Sequence, residues 1–188
     1  MGIGIKTYGK IVGGLVAGSE SMHGAAGTGV SVLESGGAPI HKTVLSLAAA
    51  AVTLTDEAST VLYGSKALYT FPEGCILSLG ATVDLDIAVA GSLSATADGD
   101  FALGSAAADN DASLTGTEAD IIPSTTIPQL VASAGNETGQ STGVTFLDGT
   151  SAAKVLYLNQ IWDDADHDGG SMTVTGTVEI FWMNLGDY

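Results

Sequence analysis

The chain has 188 residues, with 21 acidic and five basic side chains and a formal net charge of −16. The basic residues are all lysines, Lys6, Lys10, Lys42, Lys66 and Lys154, which argues against nucleic acid as a direct partner, because phosphate and base contacts need Arg and Lys, and against an anionic membrane surface. Charged residues make up 14% against about 25% in an average domain, so the chain is expected to pack rather than to react.

Residues 1 to 42 differ from the rest. Glycine recurs from Gly2 to Gly37 and weakens any regular element it enters. Acids are few, and Lys6 and Lys10 leave the segment near neutrality. We read an extended arm whose apolar residues, Ile3, Ile5, Ile11, Val12, Leu15 and Val16, have no core of their own and need a partner. The alternative is a glycine-rich edge strand with a loop. The Ile3 to Val16 stretch is too glycine-rich for a signal peptide, and Lys6 stands where a myristoylation motif needs Ser or Thr. No apolar run is long enough for a membrane-spanning helix.

From Thr43 to Tyr188 the pattern is that of a body built from short strands. Val44 to Leu47 and Val52 to Thr55 are two strands or one bent strand, with a helical turn possible at Ala48 to Ala51. Asp56 to Ser59 reads as a turn, and Thr60 to Thr70 as the next strand. Phe71-Pro72-Glu73-Gly74 is a turn, because Pro sets φ and Gly accepts a positive one. Cys75 to Leu79 is expected as a buried strand with an inert thiol. Val83 to Val89 alternates, placing Asp84 and Asp86 outward. Residues 91 to 120 read as acidic loop, with Ile121 to Pro123, Ile127 to Val131 and Val144 to Leu147 as further strands. Finally, Ala153 to Trp162 and Ser171 to Met183 predict a long hairpin carrying both tryptophans. In its second arm Met172, Val174, Val178, Ile180 and Trp182 share one face, opposite Thr173, Thr175, Thr177 and Glu179. Many short strands without a 3.6-residue period predict an all-β, jelly-roll-like antiparallel β-sandwich.

Few residues offer chemistry. Gly139-Gln140-Ser141-Thr142-Gly143 matches the nucleophile-elbow pattern, with Asp148 and His167 following in the required order. The serine, however, lies in a polar loop without the strand-to-helix context the motif needs. Asp164, Asp166 and Asp168 precede Gly169 in the spacing of half a Ca²⁺ loop. Thr175 stands where the bidentate acid belongs, so the alternative is a solvated loop tip. Asp98, Asp100, Asp109 and Asp111 are weaker candidate ligands. The expectation is a protein that is not an enzyme and carries no cofactor, with Ca²⁺ as the one candidate metal. After Glu179 the polar face turns apolar. Phe181, Met183 and Leu185 there predict a covering partner, either a loop of the same chain or another subunit; the expectation is a homo-oligomer, with a trimer first.

The stretches Leu68 to Ala81, Asp98 to Gly104, Thr117 to Pro123, Leu147 to Thr150 and Trp162 to His167 resemble a family of small capsid decoration, or cement, proteins of tailed bacteriophages. The resemblance implies a β-sandwich that binds the outer surface of an icosahedral shell. It also implies the major capsid protein as partner and a place on the virion exterior. The rival reading is a carbohydrate-binding or adhesin-like β-sandwich, which would expose Tyr157, Trp162 and Trp182 on a sheet face.

Overall fold

The computed structural model describes residues 23–37, 39–57, 61–89, 98–109, 113–127, 135–163 and 170–186. Within them the chain is all β. The strands are β1 (Ala25–Ala26), β2 (Val30–Gly37), β3 (Ile40–Glu57), β4 (Val61–Thr70), β5 (Gly74–Val89), β6 (Asp98–Gly104), β7 (Ile122–Ile127), β8 (Gly135–Gln140), β9 (Thr145–Gly149), β10 (Val155–Asp163) and β11 (Gly170–Asn184). One short 3-10 helix spans Gly116–Glu118.

All pairings among them are antiparallel. In the first sheet β7, β6, β10 and β4 lie side by side, and β1 and the last residues of β3 share the other edge of β4. The second sheet runs β2, β3, β11, β5, and β8 and β9 divide the far side of β5 between them. Because β3 belongs to both sheets, they are continuous and wrap nearly into a barrel. At the open side, β8 comes close to β6 and β7 through Gly139. A Cβ added there would meet Ile122, Phe101 and Val83 side chains at 3.2 Å, so the close approach depends on a missing side chain.

The core follows the alternation of the strands. Met172, Val174, Val178, Ile180 and Trp182 of β11 are all fully buried, as their period of two predicts. They meet Leu156, Leu158 and Trp162 of β10, Phe101 and Leu103 of β6, and Leu85 and Ile87 of β5 in one cluster. Trp182 is its polar-aromatic centre. Its Nε1–H donates to Thr43 Oγ1 at 2.8 Å, His41 stacks on its ring with centroids 4.3 Å apart, and Phe71 meets it edge-on at 5.5 Å.

Two bulges reverse which residues face inward. In β3, Ala48 and Ala49 together oppose Thr175. Ala49 takes a φ of 51°, and its N–H is held by Thr175 Oγ1 at 3.1 Å. Inward positions are odd before this point (Leu45, Leu47) and even after it (Ala50, Val52, Leu54). Of the readings of Val44 to Thr55, the single bent strand holds, and the helical turn read as possible at Ala48 to Ala51 is a bulge within it. In β5, Leu79 is the extra residue, between Ser78 and Gly80. Inward positions pass from Ile76 and Ser78 to Ala81, Val83 and Leu85, so Cys75 falls on the outer phase and is half-buried rather than buried.

The expected hairpin of the last two long strands does not form. β10 pairs with β4 and β6, whereas β11 pairs with β3 and β5. Each is apolar enough to sit at the centre of its own sheet, and the chain between them crosses from one sheet to the other. Residues 25 to 37, assigned above to the arm, instead form β1 and β2 on the body. The expected boundary at residue 42 thus falls inside β3. β6 lies in what read as acidic loop, and β8 in the polar stretch around Gly139.

Two substitutions test this architecture. Trp182→Ala removes the largest inward side chain of β11 and should cost ~3–5 kcal/mol; an unchanged melting temperature would contradict the register. Gly176 has a φ of 140°, and a Cβ there would sit 2.1 Å from the Asp84 carbonyl oxygen. Gly176→Ala should therefore destabilise by at least about 2 kcal/mol, measured by denaturant unfolding.

Candidate docking interface

Two surfaces of the body stand out. The first is where the described chain begins. Tyr69 on β4 is fully buried. Its hydroxyl donates to Glu34 Oε1 and accepts the Gly24 N–H at 2.8 Å. Glu34 reaches inward from β2, opposite Thr43, and its second oxygen pairs with His23 Nδ1. The segment that leads into β1 is thus tied to the core by a carboxylate, a phenol and an imidazole. Tyr69 in turn meets Phe71 edge-on at 5.1 Å and lies 6.4 Å from Trp182. Burial pushes the Glu34 carboxyl above its ordinary range, and the His23 pair and the Gly24 N–H oppose this. Burial first, and then the charge of His23, hold the His41 imidazole below its ordinary value.

The second surface is the outer face of the second sheet. Cross-strand register lines up Ile40 of β3, Met183 of β11, Leu77 of β5 and Phe146 of β9 in one row. The next row on this face is Ser35, Lys42, Phe181 and Gly80, and the one after it Leu33, Val44, Glu179 and Thr82. Leu33 is 68% exposed and Phe146 58%. Lys42 Nζ lies 2.8 Å from Glu179 Oε2 and 5.5 Å from the Phe181 ring centre. Of the three residues predicted to be covered by a partner, Phe181 is exposed and Met183 is half-buried on this face. Leu185 lies past the end of β11, half-buried, and its N–H donates to the Cys75 carbonyl at 2.8 Å.

The outer face of the first sheet is built differently, because residues 105–109 and 113–119 lie over it. Asn159, fully buried on β10, holds that cover with both ends of its amide. Its Nδ2 donates to the carbonyls of Ala106 at 2.9 Å and Glu118 at 2.7 Å. Its Oδ1 accepts from Ser65 Oγ at 2.7 Å and the Ala108 N–H at 3.0 Å. Glu118 closes the loop by accepting the N–H groups of Asp109 and Thr115. Beneath it Ile161, Ala102 and Leu114 form a small second cluster. Sequence reading missed this arrangement, since Asn159 sits in an apolar run and only its burial reveals the role. Glu34 was missed because it lies in a segment read as arm.

The remaining candidates resolve simply. Ser141 follows β8, and its Oγ accepts the Ala81 N–H at 2.9 Å; this is a strand end, not a strand-to-helix elbow. Asp148 is exposed, and its carboxyl is held below the ordinary range chiefly by hydrogen bonds from Thr150. The arm residues Ile3, Ile5, Lys6, Lys10, Ile11, Val12, Leu15 and Val16 lie outside the described residues, as do Asp164, Asp166, His167 and Asp168. Among the described residues no group of His, Cys, Asp and Glu is placed to hold a metal ion. No described helix is long and apolar enough to cross a membrane.

His41 and Glu34 give opposite pH dependences. His41 is harder to protonate folded than unfolded, so its contribution to stability is lost as pH falls below its ordinary 6.5. Glu34 is easier to protonate folded than unfolded, so its contribution grows as pH falls toward its ordinary 4.5. The melting temperature should therefore fall on acidification from about pH 7 to about pH 6, in the imidazole range. His41→Phe, which keeps the stack on Trp182, should flatten that fall. An unaltered slope would mean that another group carries it.

Neither a protein-family model nor a curated protein sequence matches this chain.

Proposed function

We propose that the chain is a capsid decoration protein: a structural module that binds the outer surface of an icosahedral phage shell, contacts its major capsid protein and stabilises it. The observation that carries this reading is the division of the apolar surface. Both tryptophans lie in the core, whereas Leu33, Ile40, Phe146 and Phe181 are left on one sheet face. A body of this kind offers area for packing rather than a ring platform for sugars. The resemblance to phage cement proteins supports the same conclusion, and so does the scarcity of charge.

In this proposal the body is jelly-roll-like, and the segment before His23 is the anchor. Its apolar residues, with Lys6 and Lys10, would fill grooves between shell subunits. The Glu34 and Tyr69 contacts would hold its base against the body. The protein would self-associate, so that several anchors engage one particle and modest individual contacts add up. No cofactor takes part; Ca²⁺ at Asp164, Asp166 and Asp168 would be an accessory to folding.

The test uses phage shells stripped of decoration. Full-length protein should bind them and raise the temperature at which filled particles release their genome. Ile11→Ser combined with Val12→Ser should weaken binding at least about tenfold while leaving the melting temperature of the free protein unchanged. Binding that survives these changes would remove the anchor role. Retention on a glycan array without any shell binding would replace the proposal with the adhesin reading.

A further inference from the structure

We infer that the outer face of the second sheet is a two-fold self-association surface, on which a second copy of this chain packs with Lys42 of each protomer against Glu179 of the other. The inference rests on the self-association proposed above and specifies where it occurs and in what symmetry.

The face is one continuous apolar band. Leu33, Ile40, Phe181, Met183, Leu77 and Phe146 lie on three neighbouring cross-strand rows that span β2, β3, β11, β5 and β9. The corresponding face of the first sheet is covered by residues 105–109 and 113–119 of the same chain. No described residue covers this one.

Charge identifies the occupant. The chain carries −16 overall, yet the only ionic side chains on these rows are Lys42 and Glu179, which cancel. Acids return only beyond them, at Asp84 and at Asp148. A basic partner would be drawn to the acidic remainder rather than to this strip, where the charges cancel. A second copy can approach here without facing its own carboxylates. Its charges are also arranged for it. A cation and an anion on adjacent strands, exchanged by a two-fold axis between them, give two reciprocal ion pairs within an apolar surround. A threefold ring, the arrangement first expected from the sequence, needs two different patches, whereas this face supplies one self-complementary patch.

Sedimentation of the full chain should give a species of twice 18.7 kDa. Lys42→Glu places acid against acid across the axis, and Glu179→Lys places base against base. Each change should weaken association at least about tenfold without loss of the folded circular-dichroism spectrum. Mixing the two variants should restore a dimer, since each now carries the charges the other lacks, and that heterodimer is the decisive result. Phe181→Asp should abolish association, and no charge-swapped partner should rescue it. A trimer, or a dimer indifferent to all three substitutions, would overturn this face while leaving self-association standing. A monomer at high micromolar concentration would overturn both.

Discussion

The bend in β3 is the constraint on which the other features depend. One strand of eighteen residues must pair with β11 along most of its length and then with β4 at its end. It does so by inserting one residue at Ala48–Ala49, where Thr175 closes the ladder and Gly176 lets β5 approach from the other side. An alanine at positive φ costs free energy, and the returns are a strand that turns its inward face and two sheets that share one core. Without the bulge, Leu45 and Leu54 would point to opposite sides, and no single register could bury both.

The aromatic cluster converts that geometry into stability. Trp182 brings β11 against β3 through Thr43 and His41, and against β4 through Tyr69 and, just past its end, Phe71. The indole N–H is satisfied by a hydroxyl, so the largest side chain of the core leaves no orphan donor. Gln160 is the counterexample: its Oε1 accepts the Trp162 Nε1–H at 3.3 Å, but its own amide nitrogen is buried without a hydrogen-bonding partner among the described residues. A position of this kind lowers stability unless an internal water completes it.

The two outer faces show how the same architecture serves different ends. Over the first sheet, a fully satisfied asparagine holds a loop that shields apolar side chains. Over the second, cross-strand rows present apolar side chains around a single ion pair. An exposed pair such as Lys42 and Glu179 adds little to the stability of one protomer. On a docking face of the kind proposed, such a pair would act on orientation and specificity more than on affinity.

Sequence by itself determined the strands whose neighbours keep a strict period of two. The inward face of β11, the outward aspartates of β5 and the positive-φ turn at Gly74 were all legible, because alternation and turn chemistry are properties of adjacent residues. The apolar break at Phe181 and Met183 was legible for the same reason. Tertiary structure alone decided the rest. β10 and β11 read as a hairpin because they are consecutive and apolar, but pairing is settled by which sheet each one completes. The bulges at Ala49 and Leu79 hid the inward phase of β3 and β5, since one extra residue inverts a period that local pattern can only extend. β8 was silent because an edge strand is held by backbone hydrogen bonds to β5, which carry no side-chain signature. Glu34 became part of a buried network only when β2 and β4, distant in sequence, were brought together.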